Sequence, residues 1–106
     1  MQILFDGTRH AVVKSIAAET IDVSTLEGAP AKVTIEKIIY DVGAATGVQL
    51  LWDATTDVLI TPLSGQGTMC LEDFGGIKNT EAAGYTGDIV VAATGTPGII
   101  LHLRKD

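Results

Sequence analysis

The sequence predicts an all-β fold, a β-sandwich or jelly-roll-like small barrel of about eight or nine short antiparallel strands. Three observations carry that expectation. Apolar and polar residues alternate with a period of two over nearly the whole chain, turn-forming residues interrupt the alternation at short intervals, and no stretch shows the apolar stripe or capping box of a helix. A chain of 106 residues, 46% of them apolar, builds one core and one domain, residues 1–106.

Gln2 to Phe5 and Arg9 to Ala17 flank Asp6-Gly7, a dipeptide whose tolerance of positive φ favours a tight hairpin. Thr20 to Leu26 alternates Ile21, Val23 and Thr25 against polar neighbours, which predicts a third strand ending at Glu27-Gly28-Ala29-Pro30. Val33 to Val42 is the longest candidate strand. It places Ile38, Tyr40 and Val42 on one face and Ile35, Lys37, Ile39 and Asp41 on a second, half-buried face. Gly43 to Gly47 reads as a hairpin loop, followed by a strand on which Val48, Leu50 and Trp52 point into the core. Asp53 to Thr56 is a turn, Asp57 to Leu63 a strand, Ser64 to Gly67 another turn and Thr68 to Leu71 a short strand. Residues 72 to 87 lack periodicity and contain Gly75, Gly76, Gly84 and Gly87, so they form a long loop of the kind that carries function. Asp88 to Thr94 and Ile99 to Arg104 alternate cleanly about Gly95-Thr96-Pro97-Gly98, which reads as a closing hairpin.

The formal charge of −6 disfavours nucleic acid and anionic membrane as partners. Cys70 is the single cysteine, so an intrachain disulfide is excluded and a thiolate metal site lacks ligands. The first residues have neither the basic start nor the apolar run of a signal peptide, which fits synthesis and folding in a cytoplasm.

No motif predicts catalysis, a cofactor or a metal. Asp73-Phe74-Gly75 spells the magnesium triplet of protein kinases, but the Gly-rich loop, the catalytic loop and the necessary length are missing. Gly65-Gln66-Gly67 lacks the third glycine and the helix of a dinucleotide site. Asp53 and Asp57 are spaced for the paired carboxylates of a glycosidase, yet aspartates at a hairpin corner ordinarily bond backbone N–H groups. A calcium site built from these two with Glu72, Asp73 or Asp88 would not follow EF-hand spacing. His10 and His102 fall on strand faces without an adjoining nucleophile, and Cys70 reads as a buried small hydrophobe. A stacking platform for carbohydrate would have to be built from Trp52, Tyr40 or Tyr85, and of these three only Tyr85, in the long loop, is free of a strand.

The run Gln49 to Val58 with Trp52-Asp53-Ala54-Thr55-Thr56-Asp57 at its centre, then Gly65 to Thr68, Phe74-Gly75-Gly76-Ile77 and Gly87-Asp88-Ile89, resembles small virion proteins of tailed bacteriophages, including cyanophages. It looks like a capsid cement or decoration protein. The likeness spans residues 33 to 105 and marks 33–106 as the β core, with residues 1–32 as N-terminal strands or an arm. What it implies is a non-enzymatic protein on the capsid exterior, a homo-oligomer with a trimer favoured, and the major capsid protein as partner. Loop 72 to 87 is then the expected contact, through Phe74, Gly75, Gly76, Lys78, Glu81 and Tyr85. A phage tail, neck or carbohydrate-binding host-recognition module uses the same kind of scaffold, and a small hydrolase is the enzymatic alternative.

Overall fold

The computed structural model describes residues 1–106 and contains ten strands: β1 (Gln2–Asp6), β2 (His10–Ser15), β3 (Glu19–Ile21), β4 (Val33–Asp41), β5 (Ala45–Trp52), β6 (Val58–Pro62), β7 (Gln66–Cys70), β8 (Ile77–Lys78), β9 (Ile89–Gly95) and β10 (Gly98–Lys105). Helix is confined to two 3₁₀ turns, Val23–Thr25 and Glu72–Phe74. The strands form two antiparallel sheets packed face to face. One runs β1-β2-β10-β4, with β7 and β8 both on the far edge of β4; the other runs β3-β9-β5-β6.

With β1 and β8 set aside, the eight remaining strands pair from the outside inwards: β2 with β10, β3 with β9, β4 with β7 and β5 with β6. Folding this ribbon back on itself adds β10 against β4 and β9 against β5. That winding is a jelly roll.

The core lies between the sheets and is built by the period-two residues. Ala11 and Val13 of β2, Leu50 and Trp52 of β5, Ile89 and Val91 of β9, and Ile99, Leu101 and Leu103 of β10 are all buried. Ile38 and Ile99 are inside, whereas their neighbours Ile39 and Ile100 form a cross-strand pair on the outer face.

Six local expectations are corrected. The third strand stops at Ile21, because the Asp22 carboxylate accepts the Ser24 N–H at 3.0 Å and caps a 3₁₀ turn. Ile35 faces the core, since Leu103 pairs with Ile35 and His102 with Lys37, leaving Glu36 as a bulge that switches the phase of β4. Gly95-Thr96-Pro97-Gly98 is no hairpin, because β9 and β10 lie in different sheets, and the link from β4 to β5 likewise crosses between sheets rather than closing a hairpin over residues 43 to 47. The long loop contains the Glu72–Phe74 turn and strand β8. Cys70 is exposed, because its pairing with Lys37 puts it on the outer face. The hairpins at Asp6-Gly7 and Asp53 to Asp57 form as expected.

Candidate functional site

Loop 72 to 87 leaves β7 and returns to β9 through a chain of backbone contacts. The Leu71 N–H donates to the carbonyl of the bulged Glu36 at 2.9 Å. The Phe74, Gly75 and Gly76 N–H groups then close the 3₁₀ turn on Leu71 and Glu72, at 2.9 to 3.0 Å. Gly76 is required here: its φ is +81°, and a Cβ would sit 2.7 Å from the Ile35 carbonyl oxygen. The outcome is a fixed turn that holds Phe74 with 86% of its surface exposed. Arg104 braces it, with one amino group 3.4 Å from the Gly75 carbonyl and the other 3.3 Å from the Glu36 carboxylate.

β8 then pairs with Thr34 and Ile35, and Asn79 turns the chain by accepting the Glu81 N–H at 2.7 Å. Glu81 sits at φ +53° and forms an ion pair with Lys32. That hydrogen-bonded carboxylate raises the Lys32 pKa above its ordinary value. Further on, Thr55 donates its N–H to Ala83, and the Thr86 hydroxyl donates to Asp53 at 2.7 Å. The loop is therefore stitched to the Asp53–Asp57 turn. Asp57 closes that turn by accepting the Ala54 N–H at 3.1 Å, whereas the Asp53 carboxylate anchors the long loop through Thr86.

Of the six residues expected to touch a partner, Lys78 and Glu81 share one polar groove with Lys32, Asn79, Arg104 and Asp106. Gly75 reaches that cluster through Arg104, and Tyr85 is 39% exposed. Phe74 and Gly76 stand outside the groove's lining.

A second concave region went undetected in the sequence. The outer face of the larger sheet holds a depression of about 320 Å³ whose lining includes Phe5, His10, Glu36, Lys37, Glu72 and His102. His10 Nε2 lies 3.1 Å from the Glu36 carboxylate. The two histidines are 92 residues apart and meet because the first strand of the jelly-roll ribbon pairs with its last, a placement with no local signal. A His–Glu pair can move protons. Cys70 is no nucleophile for it: Val12, His102, Lys37 and Cys70 are successive partners across one row, so Cys70 and His102 are two strands, roughly 10 Å, apart.

Asp88, where the loop enters β9, accepts the Val23 N–H at 3.1 Å. Burial, joined by the nearby Asp22 and Asp53 charges, raises its pKa despite that bond. A raised carboxylate pKa favours the native state at low pH, and that contribution is lost as pH rises through the folded value. Asp88→Asn keeps the acceptor and removes the ionisation, so its melting temperature is expected to exceed the parent's at neutral pH. Calorimetry near about pH 3, where the carboxyl is largely protonated in either state, should find the difference gone. A variant less stable than the parent at neutral pH would show that the charge is needed.

No protein-family model, curated protein or solved structure matches this chain.

Proposed function

We propose that the protein is a non-enzymatic virion structural protein, a capsid cement or decoration protein that binds the outer surface of a tailed-phage capsid and stabilises the shell. The observation that carries this reading is Phe74, a phenyl ring 86% exposed on a turn locked by three backbone hydrogen bonds and braced by Arg104. A monomeric domain gains nothing by presenting its most exposed large hydrophobic side chain on a rigid support. A docking protein does, because an aromatic anchor that is already ordered loses little entropy when it fills a partner's pocket. The likeness of residues 33 to 105 to phage virion proteins supplies the partner, and the jelly-roll winding suits it, since capsid proteins use that architecture among others. The charge of −6 supports the exterior over a position against packaged DNA.

Homo-oligomerisation, as a trimer, belongs to the same proposal. Its support is the free edge at β1, where Ile3, Leu4 and Phe5 are all exposed and no strand covers them. An oligomer engaging several capsid sites at once turns a modest interface into firm attachment.

Phe74→Ala is expected to weaken binding to capsids lacking the protein by roughly 2 kcal/mol, about thirtyfold, the usual cost of removing an aromatic anchor. Occupancy measured by sedimentation over a concentration series tests it, with circular dichroism to verify the fold. Unchanged occupancy would remove Phe74 from the contact, and absence of binding by the parent protein would end the capsid reading.

The exposure of both Phe74 and Tyr85 on one loop also favours a second reading, a tail, neck or host-recognition module that stacks sugar rings. Immunogold labelling restricted to the tail would promote it.

A further inference from the structure

The four strands of the smaller sheet, β3, β5, β6 and β9, contain one charged residue, Glu19, in a chain with 7 basic and 13 acidic ones. Glu19 pairs with the buried Val91 and so belongs to the inner side. The outer face carries no charge. Its central row runs Thr20, Val90, Leu51 and Leu59 across the four strands, followed by Ala92, Gln49 and Pro62 and then by the Thr46–Thr94 pair. Leu51, Leu59, Val90 and Ala92 neither belong to the core nor pack against it, and Leu59 is 51% exposed. The larger sheet differs, with a charged residue on every strand but β7.

An antiparallel sheet that faces water ordinarily places polar and charged side chains on that side, so a whole face without charge and with aliphatic residues at its centre is suited to burial. We propose that this face is the contact for a second copy of the chain, the two smaller sheets packing face to face about a two-fold axis. Charge decides the occupant. Two molecules of charge −6 repel one another over most of their surface, and the neutral face is where they meet without opposing carboxylates. Charge also sets the orientation, because Asp22, Asp53, Asp57 and Asp88 all lie at the end of the sheet where β3 and β5 stop and β6 and β9 start, whereas the Thr46–Thr94 end is neutral. A two-fold axis crossing the strands lays each acidic end over the partner's neutral end.

Four strands about 4.8 Å apart and roughly 20 Å long give close to 400 Å² of face per copy, or about 800 Å² in all. That is the size of a weak, reversible dimer, so association is expected at roughly tens to hundreds of micromolar. The contact shares no residue with the β1 edge or the Phe74 turn, so it and the capsid reading can each fail alone.

Sedimentation equilibrium of the full chain from about 10 to 500 μM tests the proposal. The expected mass approaches two chains, or six where the β1 edge also joins three copies. Raising the salt concentration should strengthen the association, because screening relieves the repulsion between like charges. Leu59→Lys, at an exposed position, should weaken association by about tenfold or more and halve the mass of the assembly. Leu51→Asp should do the same; circular dichroism verifies each fold, and Leu59→Lys decides if the other variant does not fold. Leu4→Lys, on the β1 edge, should still form a dimer. The proposal is overturned if the parent stays a monomer at about 500 μM, if its mass settles at three chains, if salt weakens the association, if Leu4→Lys is a monomer, or if Leu59→Lys assembles as the parent does.

Discussion

Trp52→Ala should destabilise the protein by about 3 to 5 kcal/mol, a large share of the roughly 5 to 15 kcal/mol that holds a domain of this kind together. Trp52 is the only tryptophan and is 1% exposed. Its neighbours across the sheet are Val58 on one side and Ile89 on the other, both held in hydrogen-bonded ladders. Strands fixed in that way cannot collapse into the space an indole leaves, so the substitution loses both the transfer energy of the ring and the packing around the cavity. Urea titration followed by far-ultraviolet circular dichroism measures the effect, since the variant has no tryptophan fluorescence. Trp52→Phe refills most of the volume and should cost well under half as much. A loss below about 1 kcal/mol for the alanine variant would mean that the ring does not fill the core.

Trp52 also shows which part of the fold was legible. Val48, Leu50 and Trp52 repeat every second residue, so their common face could be read from spacing alone, as could Leu101 and Leu103 at the end of the chain. Legibility failed wherever the deciding interaction was distant in sequence. Gly95 to Gly98 has the composition of a hairpin turn, but β9 is claimed by β5 and β10 by β2 and β4, and no local feature announces that competition. Ile35 fell on the wrong face because one bulged residue, Glu36, inverts the alternation, and bulges leave no mark in composition.

The candidate site divides in the same way. Glycines and missing periodicity marked the loop, and Lys78 and Glu81 do share a groove. Lys32, Arg104 and Asp106, which complete it, come from the approach to β4 and from the end of β10, and became visible only when the jelly-roll winding closed. Phe74 was identifiable as part of the loop. The rigidity of its support was not, because the 3₁₀ turn is braced by Arg104, which is distant in sequence.

Gly87→Ala should rank with Trp52→Ala in severity although it adds a single methyl group. Gly87 is buried at φ +88°, and a Cβ there would stand 1.8 Å from the Ala31 carbonyl oxygen and 2.8 Å from its carbon. Neither backbone can retreat cheaply. Ala31 lies two residues before β4, while the residue before Gly87, Thr86, is tied to Asp53 by both its N–H and its hydroxyl. The left-handed conformation costs an alanine about 1 to 2 kcal/mol and the overlap a further 1 to 3 kcal/mol, so a total of roughly 2 to 5 kcal/mol is expected. Gly75→Ala separates the two contributions: its φ is +83°, nearly the same, but nothing lies within 4 Å of the added carbon. It should lose about 1 to 2 kcal/mol. Paired urea melts of the two variants give the comparison directly, and equal losses would mean that the approach to Ala31 relaxes without cost. Hydrogen exchange then locates the damage. In Gly87→Ala the amides of Thr55 and Thr86, which join the loop to the Asp53 turn, should exchange faster relative to global unfolding, whereas in Gly75→Ala they should keep their protection because the disturbed turn is at the other end of the loop.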